Sequence, residues 1–171
     1  MVVISAANAD EAVTQLPSGG ILSDVSISLA VGQDMLEGLP LLNKDAIDRV
    51  TIHQITYDSS GVAVSGFLFV PLRPGPHPAV IYNRGGYGDF GMLAPNLTFL
   101  QLADLAADGY VVAASQYRGT SGAAGHDSFG GDDVDDVLSL VDVLDSMESV
   151  DSTRIGVFGH SRGGMMTYLA L

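Results

Sequence analysis

The fold is indicated by Ile155-Gly156-Val157-Phe158-Gly159-His160-Ser161-Arg162-Gly163. Its first four residues form a short apolar run, which is typical of a buried parallel strand. The residues after 162 contain no helix breaker other than the initial glycines, so a helix is expected to begin there. Glycines at 159 and 163 suit a very tight turn, because a Cβ at either position would collide with the neighbouring chain. The sequence therefore predicts a strand, a sharp turn with Ser161 at its apex, and a helix.

This Gly-x-Ser-x-Gly turn favours a nucleophilic role for Ser161. A strand-to-helix turn of this kind projects the serine hydroxyl from the carboxyl end of a sheet. The backbone N–H of Arg162, at the start of the helix, would point to the place where a negatively charged oxygen develops. The structural alternative is a plain glycine-rich turn between a strand and a helix. We interpret Ser161 as a candidate catalytic serine.

Outward from this turn, strands and helices alternate along the chain. Residues 50–57 and 62–70 alternate apolar and polar side chains on either side of Asp58-Ser59-Ser60-Gly61, which predicts an antiparallel hairpin. Further strands are predicted at residues 79–82, 110–114 and 154–158, and helices at 95–107, 132–147 and from 162 onward. The predicted fold class is α/β, with a mixed sheet that starts with the hairpin and continues as parallel strand–helix units.

The predicted helix 132–147 has an apolar stripe and an acidic start. The stripe expected against the sheet consists of Val134, Val137, Leu138, Val141 and Leu144. Asp132, Asp133, Asp135 and Asp136 are expected to be exposed residues in the first turn, where the helix dipole favours acids. A cation site is the alternative, although the pattern of a calcium-binding loop is missing.

Residues 1–45 have no clear pattern and are treated as a separate arm or lid segment. A short helix over residues 8–16 is expected there, followed by the breakers Pro17-Ser18-Gly19-Gly20 and Gly38-Leu39-Pro40. Residues 46–171 form the segment with the alternating strands and helices.

A second glycine-rich stretch, Asn83-Arg84-Gly85-Gly86-Tyr87-Gly88, follows the strand at 79–82. Glycines there allow a backbone N–H to approach a ligand closely. A phosphate-binding loop is the alternative, but the spacing matches neither of the two common glycine-rich phosphate motifs. The stretch is therefore expected to supply the second N–H donor of an oxyanion hole.

Several motifs occur in the order found in a known family. The chain from about residue 50 to 171 resembles the first half of the catalytic domain of the prolyl oligopeptidase family, within the α/β-hydrolase superfamily. The matching motifs are Pro78-Ala79-Val80-Ile81-Tyr82-Asn83-Arg84-Gly85-Gly86, Gln116-Tyr117-Arg118-Gly119, Gly130-Gly131-Asp132-Asp133-Val134-Asp135-Asp136-Val137, Val150-Asp151-Ser152-Thr153-Arg154-Ile155-Gly156-Val157 and Gly159-His160-Ser161-Arg162-Gly163-Gly164.

The resemblance implies a role for each matching site residue. Ser161 would be the nucleophile, and the N–H groups of Arg162 and Gly86 would form the oxyanion hole. Arg84 stands where some members carry an oxyanion-binding tyrosine. The candidates for substrate contact are Arg84, Tyr87 and Arg118; the alternative for Arg118 is a structural ion pair with Asp132 or Asp133. No metal or organic cofactor is implied.

The acid and the histidine of a catalytic triad are not found in the expected order. In this fold they follow the serine along the chain, and residues 162–171 contain neither. All four histidines precede Ser161, and neither His126 nor His160 is expected to act as the base. Two interpretations therefore stay open: a serine hydrolase cleaving an ester or a peptide-like amide, or a truncated or split half without turnover of its own that oligomerises or binds a C-terminal-half partner chain.

Composition excludes several classes of partner. Twenty acidic and seven basic residues give a net charge of −13, which would repel nucleic acid and anionic membrane surfaces. No apolar run approaches the roughly 18 residues of a membrane span. The absence of cysteine excludes disulfides and thiol nucleophiles. A cytoplasmic protein acting on a small-molecule ester or peptide is expected.

Overall fold

The structure, a computed structural model, describes residues 2–6, 20–31 and 45–171 of the chain. Burial and side-chain contacts are described for residues 20–27 and 45–171. The helix predicted at residues 8–16 and the breaker at residues 38–40 lie outside the described residues.

The described strands form one mixed sheet. They are β1 (Val2–Ala6), β2 (Ile21–Val31), β3 (Val50–Ser59), β4 (Val62–Pro71), β5 (His77–Asn83), β6 (Val111–Ser115) and β7 (Val150–Gly159). Their order across the sheet is β1-β2-β3-β4-β6-β5-β7. Across the sheet, the neighbouring pairs β1–β2, β2–β3, β3–β4 and β4–β6 are antiparallel. β5 pairs parallel with both β6 and β7. The predicted fold class, a hairpin followed by parallel strand–helix units, is confirmed.

Strands β1 and β2 extend the antiparallel side of the sheet and were not predicted. β2 pairs with β3, with Ile27 opposite Ile52, and β1 pairs with β2. The stretch Val25-Ser26-Ile27-Ser28-Leu29 alternates apolar and small polar residues, which is the usual signal for a half-buried strand. That signal could have revealed β2 from the sequence.

Three helices cover the two faces of the sheet. They are α1 (Leu97–Ala107), α2 (Val134–Asp145) and α3 (Arg162–Leu169). The N-terminus of α1 is capped by Asn96, whose side chain accepts a hydrogen bond from the Phe99 N–H at 3.2 Å. Buried residues of α1 pack on one face of the sheet, and those of α2 and α3 pack on the other. None of the helices in the described ranges is long and apolar enough to cross a membrane.

Helix α2 buries a face that only partly matches the predicted one. Leu138 and Val141 are exposed, and the residues turned inward are Asp136, Val137, Leu140, Val143 and Leu144. The predicted stripe was right for Val134, Val137 and Leu144 and wrong for Leu138 and Val141. It missed part of the inward face because a search for apolar spacing counts an aspartate against burial. Here the Asp136 carboxylate is completely buried and satisfied by hydrogen bonds, so the inward face includes it.

Strand β7 lies at the edge of the sheet. It pairs with β5, and no other described strand pairs with it. Near this edge Phe158, Tyr168 and Leu169 are exposed. The strand that carries the candidate nucleophile therefore has an unpaired side within the described part of the chain.

Candidate active site

Ser161 lies at the junction of β7 and α3 in a rare backbone conformation. Its φ is 56° and its ψ is −128°, a combination that costs free energy in a residue other than glycine and is found mainly at functional sites. The turn brings the chain against Asn83 at the end of β5: a Cβ on Gly159 would lie 2.6 Å from the Asn83 carbonyl oxygen, and one on Gly163 would overlap that oxygen. Both glycines are thus required by this close approach.

Ser161 opens onto a cavity at the carboxyl end of the parallel strands. The cavity has a volume of about 280 Å³ and contains no aspartate, glutamate, lysine or arginine among its lining residues. Those residues are Tyr82, Gly85, Gly86, Phe90, Gly91, Met92, Leu93, Asn96, Thr98, His160 and Ser161. The site therefore suits a neutral group better than a charged one.

Two backbone N–H groups beside Ser161 are free to bind a ligand. Among the described residues, neither the Arg162 N–H nor the Gly86 N–H has a hydrogen-bond acceptor. Gly86 lines the same cavity as Ser161, and Arg162 is the first residue of α3. Unpaired donors of this kind can hold a negatively charged oxygen.

None of the four histidines, all within the described residues, forms a hydrogen bond with the Ser161 hydroxyl. Within the described ranges, no side chain hydrogen-bonds the Ser161 hydroxyl. His160 Nδ1 lies 3.2 Å from the Tyr82 hydroxyl, and His126 is exposed in the loop before α2. His53 pairs with Asp24 at 2.9 Å. His77 lies 3.0 Å from the Arg73 carbonyl oxygen.

The Arg162 side chain connects the serine turn to the glycine-rich loop. It is buried, and its guanidinium donates to both Asp127 oxygens at 2.6 and 2.7 Å, to Asp133, and to the Gly86 carbonyl oxygen at 3.0 Å. Asp127 also accepts from the Gly88 N–H at 2.8 Å. The network therefore joins the serine turn to the glycine-rich loop, and sequence reasoning, which considered only the backbone of Arg162, missed it.

The two aspartates of this network are held ionised. Burial alone would raise the pKa of Asp127, but hydrogen bonds from Arg162 and from backbone N–H groups outweigh burial and lower that pKa. For Asp133 burial is likewise outweighed, by hydrogen bonds from Ser128 and backbone N–H groups and by the charge of Arg162, so its pKa is also lowered.

We expect these lowered pKa values to make the protein sensitive to acid. A carboxyl whose folded pKa lies below its unfolded value stabilises the fold above the ordinary pKa of about 4, and this stabilisation is lost as pH falls through the folded pKa. Urea unfolding should therefore show a falling free energy of unfolding below about pH 4. Asp127→Asn should flatten that slope, because it removes one of these carboxyls. A slope that is the same in the wild-type protein and in Asp127→Asn would contradict this assignment.

Arg84 was expected to contact the substrate, and the structure places it elsewhere. Its side chain is 1% exposed and is not among the residues lining the cavity. Its guanidinium donates to the carbonyl oxygens of Gly85, Gly88, Phe90 and Gln116 and to the Thr120 hydroxyl. All of these acceptors belong to the protein, so no donor is left for a substrate.

Arg118 is also a structural residue rather than a substrate contact. Its guanidinium donates to the Asp136 carboxylate at 2.8 and 3.0 Å, and the Asp136 side chain is completely buried. The prediction of Asp132 or Asp133 as its ion-pair partner was wrong. The prediction of surface aspartates was wrong for Asp133 and Asp136, because each neutralises a buried arginine.

Tyr87, the third candidate for substrate contact, follows Gly86 in the glycine-rich loop and is not among the residues that line the cavity. Its ring is 49% exposed, and its centroid lies 5.9 Å from that of Phe129. The Arg162 guanidinium lies 5.9 Å from the Tyr87 centroid. The ring is thus exposed to solvent and lies beside the guanidinium of Arg162.

The chain is similar to known hydrolases in sequence. The profile of the prolyl oligopeptidase family matches residues 96–171, from just before α1 through α3. An uncharacterized peptidase of Bacillus subtilis (strain 168), YtmA, is 38% identical over 121 residues, which cover 71% of this chain and 46% of the relative.

Over residues 96–171 the chain is thus similar to the prolyl oligopeptidase family. Solved structures show the same fold. Acylaminoacyl peptidase of Pyrococcus horikoshii has a TM-score of 0.59 and 20% identity, over 86% of this chain and 25% of that one. A bacterial brefeldin A esterase has a TM-score of 0.55 and 27% identity, over 81% of this chain and 36% of that one. The architecture is thus that of the α/β-hydrolases, and the chain spans less than half the length of these three relatives.

Proposed function

We propose that this chain carries the nucleophile and oxyanion hole of a serine hydrolase that cleaves an ester or a peptide-like amide. The observation that carries the proposal is the conformation of Ser161, with φ 56° and ψ −128° between β7 and α3 at the wall of a cavity. A strained turn that presents a free hydroxyl in this way has a clear chemical use and no evident structural one.

The proposed reaction has two steps. The Ser161 Oγ attacks the carbonyl carbon of the substrate, and the carbonyl oxygen becomes an oxyanion held by the N–H groups of Arg162 and Gly86. Collapse of the tetrahedral intermediate expels the alcohol or amine, which takes up the proton given up by the serine, and leaves the acyl group on Ser161. Water then attacks the acyl-enzyme, releases the acid and restores the serine. The base that takes the serine proton is not among the described residues in contact with Ser161.

The cavity supports a neutral acyl group as the part of the substrate bound next to Ser161. Phe90, Met92 and Leu93 supply apolar surface, and Asn96 and Thr98 supply neutral polar groups. Tyr87, exposed next to the cavity-lining Gly86, is proposed to contact the leaving group, because an accessible aromatic ring offers apolar area at low entropic cost. The relatives include a peptidase and an esterase by name, so both ester and amide remain within the proposal.

A second candidate is a hydrolase half that turns over only when further polypeptide pairs with β7. The unpaired side of β7 and the exposed Phe158 and Leu169 favour it, because an open strand edge beside apolar surface invites pairing. A second copy of the chain could cover this edge. Alternatively, the pairing segment could be the one that supplies the acid and the histidine.

Turnover of an activated ester, measured together with the mass in solution, tests these proposals. Without a base only the oxyanion hole and binding accelerate hydrolysis, by about 10³–10⁴ over water, and we expect this feeble rate from the monomer. A rate on the order of 10 s⁻¹ from a monomer would contradict the second candidate, and His126→Ala and His160→Ala would then identify the base. A rate no higher than that of water would contradict the proposed oxyanion hole.

A further inference from the structure

The orientation of the Gly86 N–H depends on the peptide group that joins Gly85 to Gly86. In a trans peptide the C=O and the N–H lie in one plane and point in opposite directions. The Gly86 N–H therefore points away from whatever binds the Gly85 carbonyl oxygen. In this structure that oxygen accepts a hydrogen bond from Arg84 Nη1 at 3.1 Å.

The orientation of this peptide must be restrained by a further contact because the peptide lies between two glycines. Glycine rotates freely about both backbone angles, so a Gly–Gly peptide can turn over at low cost. The loop cannot be stiffened by a side chain at position 86, since Gly86 has a φ of +83° and a Cβ there would overlap the Phe90 carbonyl oxygen. Restraint must come from a hydrogen bond made by another residue.

The Arg84 guanidinium is itself rigidly held. Gln116 O accepts from Nε at 3.0 Å and from Nη2 at 2.7 Å, and the Thr120 hydroxyl accepts from Nη2 at 2.9 Å. The guanidinium carbon also lies 4.9 Å from the centroid of the Tyr117 ring. From this position the guanidinium reaches the carbonyl oxygens of the glycine-rich loop, including Gly88 at 2.8 Å.

We propose that Arg84 is a positioning residue, whose planar fork holds the Gly85–Gly86 peptide with its N–H directed to the oxyanion formed on Ser161. The inference rests on the proposed function of Ser161. The planar guanidinium is required because its N–H groups bind Gln116, Thr120 and the loop at the same time. The compact ammonium of lysine cannot do so. A hydrogen bond to the Gly85 oxygen also polarises the amide and strengthens its N–H as a donor.

The test compares Arg84→Lys and Arg84→Met with Arg118→Met, which removes a buried arginine that does not contact this loop. In the ¹⁵N-labelled chain, the amide order parameter of Gly86 should fall from about 0.85 to below about 0.6 in both Arg84 variants. Saturable labelling with a fluorophosphonate should show kinact reduced by roughly 10²–10³-fold, the typical effect of losing one oxyanion donor, with KI within about twofold. Arg118→Met should keep the wild-type order parameter at Gly86.

The two measurements separate the two proposals. An absence of wild-type labelling contradicts the role of Ser161, and the Gly86 order parameter still decides the role of Arg84. An unchanged Gly86 order parameter in folded Arg84→Lys overturns the positioning role, even if Arg84→Met does not fold. An equal loss of order in Arg118→Met also overturns it, because the effect would then be a general loosening.

Discussion

Ser161→Ala is expected to lower kcat for ester hydrolysis by about 10⁶-fold in the form of the protein that turns over, the usual effect of removing a serine nucleophile from an intact triad. The variant keeps the backbone turn but has no Oγ to attack the carbonyl carbon, so no acyl-enzyme can form. Initial rates with an activated ester measure the loss. Ser152→Ala, an exposed serine on the same strand, is the matched control and should keep the wild-type rate. A Ser161→Ala rate within tenfold of wild type would overturn the assignment.

Arg162→Met is expected to reduce the free energy of unfolding by about 3–5 kcal/mol, the usual cost of removing one partner from a buried ion pair. The Asp127 and Asp133 carboxylates are at most 4% exposed, and without the guanidinium their charges would be buried and uncompensated. For a domain of this size the midpoint of thermal unfolding should fall by roughly 10 °C. Urea titration of the purified variant measures the change.

The control for this prediction is Arg154→Met. Arg154 pairs with Asp151 at 2.6 Å, but its side chain is 57% exposed, and a surface pair contributes at most about 1 kcal/mol. If Arg162→Met and Arg154→Met destabilise the protein equally, the buried network does not carry the stability assigned to it.

The sequence predicted the succession of elements because that information is local. Short apolar runs separated by turn residues located β5, β6 and β7, and the Gly-x-Ser-x-Gly spacing located the turn at Ser161. Close approach to Asn83 explains both glycines, and this contact joins two segments about 80 residues apart. The turn could be predicted without knowing that contact because glycine spacing alone marks it.

The buried ion pairs could not be predicted in the same way. Asp133 and Asp136 each stand next to another aspartate, the exposed Asp132 and the half-buried Asp135. Only the packing around α2 decides which aspartates meet Arg162 and Arg118. Arg84 and Arg118 follow strand ends where ligands often bind, which made substrate contact a candidate role for both. In the structure both guanidinium groups donate their hydrogen bonds to acceptors of the protein. Several of these acceptors are distant in the sequence, so the pairing cannot be deduced from the sequence.

The most direct measurement is intact and peptide mass spectrometry of the chain after treatment with a fluorophosphonate, with Ser161→Ala treated in parallel. The account predicts one phosphonyl adduct per chain, located on the peptide that contains Ser161 and absent from Ser161→Ala. An adduct on any other residue, or labelling that persists in Ser161→Ala, would contradict it.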